Sequence, residues 1–146
     1  LKMTKVRFVE SYLLYLMAVA SERASDSFHV QVRNAGLRVP EWRVLACLID
    51  SPPLMVTELA DLALLEQSRM TKIIDQMDAR DLVMRKPDPR DRRRVHISLT
   101  VEGRAIALSL VNKAKDHEVE LMASLADTDA ARIKPVLMAL LQALSA

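Results

Sequence analysis

The stretch from Val56 to Thr100, VTELADLALLEQSRMTKIIDQMDARDLVMRKPDPRDRRRVHISLT, decides the reading of the whole chain. It opens on a short helix pattern, Glu58 to Ala63, with Thr57 as a good N-cap because its hydroxyl can accept from an orphan amide. After a tight turn, Gln67 to Arg80 sets Met70, Ile73, Ile74 and Met77 at i, i+3, i+4 and i+7, the apolar stripe of a buried helix face. The opposite face carries Ser68, Arg69, Lys72, Asp75, Gln76 and Ala79. Small, basic and amide side chains are what base edges and phosphates require. Two strand patterns follow, Leu82 to Arg85 and Val95 to Leu99, around a loop stiffened by Pro87 and Pro89. Two helices and a basic hairpin in that order predict a winged helix-turn-helix.

Charge distribution supports this more than charge total. The chain has 146 residues and a net charge of only +2. From Arg85 to Arg94 there are six basic residues against Asp88 and Asp91, so this one segment carries more positive charge than the whole chain sums to. A local basic patch on a nearly neutral protein fits directed phosphate contact better than general stickiness. In a turn, Asp91 and Arg93 are close enough to pair and brace the hairpin. Arg92 then points away, free to enter a narrow A·T-rich minor groove. Arg90 and Arg94 serve phosphates. Taken alone, Gln67 to Arg80 would read as an ordinary amphipathic surface helix, and the arginines as a solvated run. Their neighbours in the sequence turn both readings toward DNA.

Composition fits a mainly α protein. Hydrophobic residues make up 51% of the chain but aromatics only 3%, with 2 Gly and 8 Met. A β-sandwich would want more aromatics, β-branched residues and Gly turns. Thr4 to about Asn34 reads as one long helix ended by Gly36, and Pro40 starts another that runs to about Asp50. Leu54 to Val56 has the look of a short strand able to pair with the hairpin. Thr100 caps a long helix over Val101 to Leu125, and Asp127 or Thr128 caps a last one to about Leu144. The apolar residues of these outer helices, Leu110, Val111, Val119, Leu121, Leu125, Val136, Leu140 and Leu144 among them, exceed what a small winged helix covers. That excess points to a twofold homodimer, with an intramolecular bundle as the plainer alternative. The expected organisation is one compact domain: residues 37–100 form the winged helix-turn-helix, and 1–36 with 101–146 the helical dimerisation region.

The remaining candidates are weaker. Tyr12, Tyr15, Trp42 and Arg43 could line a pocket for an aromatic carboxylate, although Trp42 as core and Arg43 as a salt-bridge partner is an equally good reading. Cys47 lies among Val44, Leu45, Leu48 and Ile49, where a thiol behaves as a small hydrophobe with a raised pKa. His29, His96 and His117 are scattered, without metal-ligand spacing, so neither metal nor cofactor is expected. With two glycines and no nucleophile elbow or paired carboxylates in a recognisable setting, enzymatic activity is not expected. The apolar run Tyr12 to Ala20 is too short to span a bilayer, and the chain reads as cytoplasmic. It opens at Leu1 without an initiator Met, which leaves room for residues upstream.

The chain resembles the MarR-type transcriptional regulators. The resemblance runs through Pro40-Glu41-Trp42-Arg43-Val44-Leu45, Thr57-Glu58-Leu59-Ala60, Ser68 with Thr71-Lys72, Leu82-Val83 with Arg85, Asp88 with Asp91-Arg92-Arg93, and Leu99-Thr100 with Glu102-Gly103. It implies a homodimer held by N- and C-terminal helices on a palindromic operator, usually repressing nearby genes. It also implies release by a phenolic or related acid bound between the dimer helices and the winged domain. Ser68, Arg69, Thr71, Lys72 and Gln76 match positions facing the major groove; with Gln67 at the helix start they make the candidate contact set. Asp91 and Arg93 match the pair that braces the wing, and Arg92 its minor-groove arginine. The chain departs from the family pattern at Asp81, where Gly is usual, so Asp81 must take a left-handed conformation. It also departs at Cys47, since oxidation-sensing members carry their cysteine in the first helix. Ser11-Tyr12-Leu13-Leu14-Tyr15 with Pro40 to Arg43 is similar to members answering to aromatic acids or their CoA thioesters. A different class of function, a winged-helix protein-interaction module meeting an acidic partner, is separable by salt and sequence dependence.

Overall fold

The computed structural model of the protein describes residues 5–145. In chain order it contains α1 (Phe8–Ser11), α2 (Leu13–Asn34), α3 (Val39–Leu48), β1 (Leu54–Met55), α4 (Val56–Leu62), α5 (Gln67–Ala79), β2 (Val83–Pro87), β3 (Val95–Leu99), α6 (Val101–Ser124), a 3-10 turn (Asp129–Arg132) and α7 (Ile133–Leu144). The three strands form one antiparallel sheet in the order β1-β3-β2. Leu54 faces Ile97 across β1 and β3, and Arg85 faces Ile97 across β2 and β3. The fold is a mainly helical winged helix, as the middle of the sequence requires.

Local chemistry explains where the elements stop. Helices α2, α4 and α5 all end in the same way, with a residue of positive φ just past the C-cap: Gly36 (φ 80), Leu64 (φ 58) and Asp81 (φ 57). In each, two amide groups beyond the helix return to its last carbonyls: Leu37 N–H to Val32 O, Leu65 N–H to Ala60 O, and Leu82 N–H to Met77 O close the longer loop. Asp81 therefore takes the left-handed conformation its position demands. Leu64 does so without the help of a short polar side chain, and it forms the tight turn between α4 and α5. Thr100 caps α6 by accepting from Gly103 N–H at 2.9 Å. A Cβ at Gly103 would meet Leu82 O at 1.9 Å, so only glycine lets α6 lie this close to the backbone just before β2.

Two expectations are corrected. The helix expected from Thr4 begins outside the described residues, and further on it is broken at Tyr12, whose φ −78 and ψ 119 are extended. The cause is local. Glu10 accepts from the Arg7 backbone N–H at 3.1 Å and from its guanidinium at 2.8 and 2.9 Å, closing α1 as an independent turn. Second, α4 starts at Val56, so Thr57 lies inside the helix rather than capping it. Met55 is the N-cap, and its N–H donates to Glu58 Oε1 at 3.1 Å. The chain divides into two compact units within α6, one ending at Asn112 and the other starting at Lys113.

The unit ending at Asn112 holds the core. Val32, Val44, Leu45, Leu59, Met70, Ile74, Met77 and Ile97 are fully enclosed, joined by Ala107 and Leu110 from α6. The stripe Met70, Ile73, Ile74 and Met77 is buried as its spacing requires. Each such side chain contributes about 1.5–3 kcal/mol on transfer from water. The unit starting at Lys113 contains the end of α6, the 3-10 turn capped by Thr128, and α7. Within it Lys134 Nζ reaches Glu118 at 2.9 Å, while Val136, Met138, Leu141 and Leu144 of α7 stay on the outside. No helix among the described residues is long and apolar enough to cross a membrane.

Candidate nucleic-acid interface

Burial of one stripe of α5 leaves its other side to solvent. Gln67, Ser68, Arg69, Thr71, Lys72 and Gln76 are all exposed. Thr71 Oγ1 donates back to Gln67 O at 3.1 Å, which fixes its rotamer. Arg69 and Lys72 make no ion pair among the described residues, so their charge is not neutralised within the fold. Gln76 Oε1 is engaged by the Arg38 guanidinium from the N-terminal end of α3.

The wing loop between β2 and β3 is built by carboxylates that hold backbone amides. Asp88 Oδ1 accepts from Arg90 N–H at 2.8 Å, and Asp91 Oδ1 from Arg93 N–H at 3.0 Å. Asp88 N–H donates to Arg94 O at 2.8 Å and Arg94 N–H to Asp91 O at 3.0 Å, closing the loop. His96 Nε2 on β3 lies 3.3 Å from Asp88 Oδ2. The Arg90 amide, and after it His96, hold the Asp88 carboxyl below its ordinary range. Asp91 does brace the wing next to Arg93, but through the Arg93 backbone. The side chain nearest to it is Arg94, with Nε 4.0 Å away, and the expected pairing of the Asp91 and Arg93 side chains is not formed. The two-residue Asx turn already satisfies the carboxylate, so the Arg93 side chain is left in solvent. Arg90, Arg92, Arg93 and Arg94 all stand exposed at the tip.

Two sets of contacts join these pieces, and neither was legible in the sequence. Arg85 of β2 reaches Asp78 Oδ2 of α5 at 3.1 Å and also pairs with Asp75, so the hairpin is tied to the helix beside it. On the other flank, the carboxylate of Glu41 is buried, only 2% exposed. It accepts from Arg38 N–H at 2.8 Å and from Arg80 Nη1 at 3.3 Å. Arg80 Nη2 also donates to Gly36 O at 3.0 Å. A buried carboxylate is tolerated only with such partners. Together these side chains line a cleft of about 530 Å³ with Ala79 and Gln76. Glu41 three residues after the helix-opening Arg38 was the one local signal; its partner Arg80 lies 39 residues away.

The aromatic candidates are not gathered into a cavity. Trp42 packs its edge against Phe28, ring centres 5.1 Å apart at 71°, and Tyr12 stacks on Phe8 at 4.8 Å. Tyr15 and Arg43 are exposed, and none of the four lines the cleft at Glu41. Burial, and after it Asp50, pushes the Cys47 thiol up.

The MarR family model matches residues 37–95, which hold α3 to α5, β2 and the wing loop. The HTH-type transcriptional repressor NicR of Pseudomonas putida is 30% identical over 111 residues, 76% of this chain and 70% of that protein. The chain belongs to the MarR family. The homoprotocatechuate degradative operon repressor of Escherichia coli is 33% identical over 87 residues; the match spans 60% of this chain and 59% of that relative's length. Among solved structures, a MarR family transcriptional regulator from Silicibacter pomeroyi DSS-3 superposes with TM-score 0.88 at 59% identity, covering 95% of this chain and 99% of that one. All three of these proteins are named as transcriptional regulators or repressors.

Proposed function

We propose that the protein is a sequence-specific DNA-binding repressor that works as a twofold homodimer on a palindromic operator. The observation that carries this reading is the adjacency of two surfaces: the exposed polar face of α5, with Arg69 and Lys72, and a hairpin tied to the same helix by Arg85 that ends in four exposed arginines. In this reading Gln67, Ser68, Arg69, Thr71, Lys72 and Gln76 meet the major groove. Arg92 enters the minor groove, and Arg90 and Arg94 meet phosphates. Asp91 braces the wing by holding the Arg93 amide. The repressor names of the NicR and homoprotocatechuate relatives support repression rather than activation.

Dimerisation is supported by apolar side chains left outside each unit. Leu13 on α2 is 62% exposed and Leu144 on α7 is 72% exposed, and neighbours on both helices are similar. Surfaces of this kind mark subunit contacts. Two copies related by a twofold would present two recognition helices to successive major grooves. A ligand that changes their spacing removes one half-site, and with it several base contacts of about 1–3 kcal/mol each. The effector class we favour is a small phenolic or aromatic acid, or its CoA thioester, near Tyr12, Tyr15, Trp42 and Arg43. Support comes from the E. coli relative, named for a homoprotocatechuate degradative operon.

Light scattering of the free protein and of its complex with the DNA upstream of its gene tests the assembly. Twice the chain mass in solution, and two chains per protected palindrome, is the expected result. A monomer on DNA without dyad symmetry would overturn the twofold reading.

A further inference from the structure

The recognition helix α5 is held on two flanks by arginines from other elements. Asp75 and Asp78 face Arg85 of the hairpin, and Gln76 faces Arg38, which opens α3. At 100° per residue, Gln76 and Arg80 lie on the opposite side of the outward face from Asp78. A helix seated in a major groove about 12 Å wide has a sugar–phosphate strand along each flank. The wing attends to one side. On the other, at the C-terminal half of the helix, Arg38 stands beside Gln76.

Its chemistry suits a phosphate. The Arg38 side chain is 60% exposed, its Nη1 makes no hydrogen bond among the described residues, and it stands beside a residue of the proposed contact face. Arg80 is differently employed: it spans Glu41 and Gly36 O, locking the end of α5 to the turn before α3. Two guanidinium groups against one buried carboxylate leave the cleft with net positive charge. Glu41 also fixes Arg38 by accepting from its backbone N–H at 2.8 Å and facing its Nε at 3.4 Å. The cation is thus held in place before DNA arrives, and holding a binding group in its bound geometry lowers the cost of association.

We propose that Arg38 is a backbone-phosphate contact on the groove wall opposite the wing, positioned by Glu41 and Gln76. This rests on the reading of α5 as a recognition helix. The contact adds affinity and orientation but no base preference, because phosphates carry no sequence information.

The test is operator affinity as a function of salt, for wild type, Arg38→Gln and Arg38→Lys, each with its melting temperature recorded. Arg38→Gln should bind all duplexes more weakly and lower the log–log salt slope by about 1 for each recognition helix engaged, with the operator-to-scrambled ratio unchanged. Arg38→Lys keeps the charge and should keep the slope. A wild-type slope in Arg38→Gln, with normal melting, would overturn the phosphate contact while leaving the recognition helix intact. If wild type itself shows no operator preference, it is the repressor reading that fails. A further arm titrates inorganic phosphate without DNA. Saturable thermal protection by phosphate that Arg38→Gln abolishes would assign the cleft to a free anion and overturn the duplex assignment.

Discussion

Arg85 on β2 donates from Nη1 to Asp78 Oδ2 on α5 at 3.1 Å, and its second terminal nitrogen pairs with Asp75 one turn earlier. The wing and α5 are therefore one mechanical piece, although the turn between them contains the left-handed Asp81. Both pairs are partly exposed, so each contributes about 0.2–1 kcal/mol to stability. Arg85→Ala should cost about 0.5–1.5 kcal/mol in urea unfolding, and Asp78→Ala should cost little more once Arg85 is gone. Operator binding should fall by more than global stability suggests, because the wing is then free to leave its position beside α5. Equal binding by Arg85→Ala and wild type would show that the tie has no part in recognition.

Arg92 is exposed at the wing tip, and neither its backbone nor its side chain makes a hydrogen bond among the described residues. Removing it should weaken operator binding by roughly 1–3 kcal/mol, most of all where the wing meets A·T-rich sequence. Oligomeric state and melting temperature should not change. Arg93→Ala is the informative comparison, because the Arg93 amide, rather than its side chain, is held by Asp91. Alanine retains that hydrogen bond, so the variant should keep the wing ordered.

Gly103 occupies a position where any side chain meets backbone. A Cβ there would lie 1.9 Å from Leu82 O and 2.8 Å from Leu82 C, so α6 or the turn leading into β2 has to move. Although alanine is the better helix former by about 1 kcal/mol, Gly103→Ala should destabilise by about 1–3 kcal/mol in chemical denaturation. An unchanged or raised stability would mean that α6 docks on Leu82 less closely than described.

The Asp88 carboxyl is held low by the Arg90 amide first and by His96 second. A depressed folded-state pKa means that the carboxylate's contribution to loop order is complete above the ordinary carboxylate value. It is lost as pH falls through the depressed one. The wing should therefore stay ordered across the neutral range and loosen only in acid below the usual carboxylate range. Following the Arg90 amide resonance against pH reads this directly, and Asp88→Asn should abolish the transition. Loosening already at pH 5–6 would contradict it.

Much of the fold was legible because it is local. Met70, Ile73, Ile74 and Met77 carry the period of a buried face within eight residues, and they are buried. Asp81 was forced into the left-handed region by the helix ending before it, and Thr100 caps α6 as its hydroxyl and position suggest. The errors are local competitions decided by details of a single turn. Glu58 and Met55 claimed the start of α4 ahead of Thr57. Glu10 closed a turn on Arg7 and broke the first helix at Tyr12, where no Pro or Gly gives warning. Asp91 satisfied itself on the Arg93 amide. The contacts that organise the interface, Glu41 with Arg80 and Arg85 with Asp75, join residues 39 and 10 positions apart. No periodicity encodes such pairs; only the packed chain brings them together.

The central claim is that α5 and the wing read a specific duplex. Fluorescence anisotropy with the DNA upstream of the protein's own gene, at two salt concentrations and against a scrambled duplex, tests it most directly. The expected result is tight binding that prefers the native sequence by about 10³-fold or more and weakens steeply with salt. Weak binding indifferent to sequence would contradict the repressor account and favour a winged-helix module that meets an acidic protein partner.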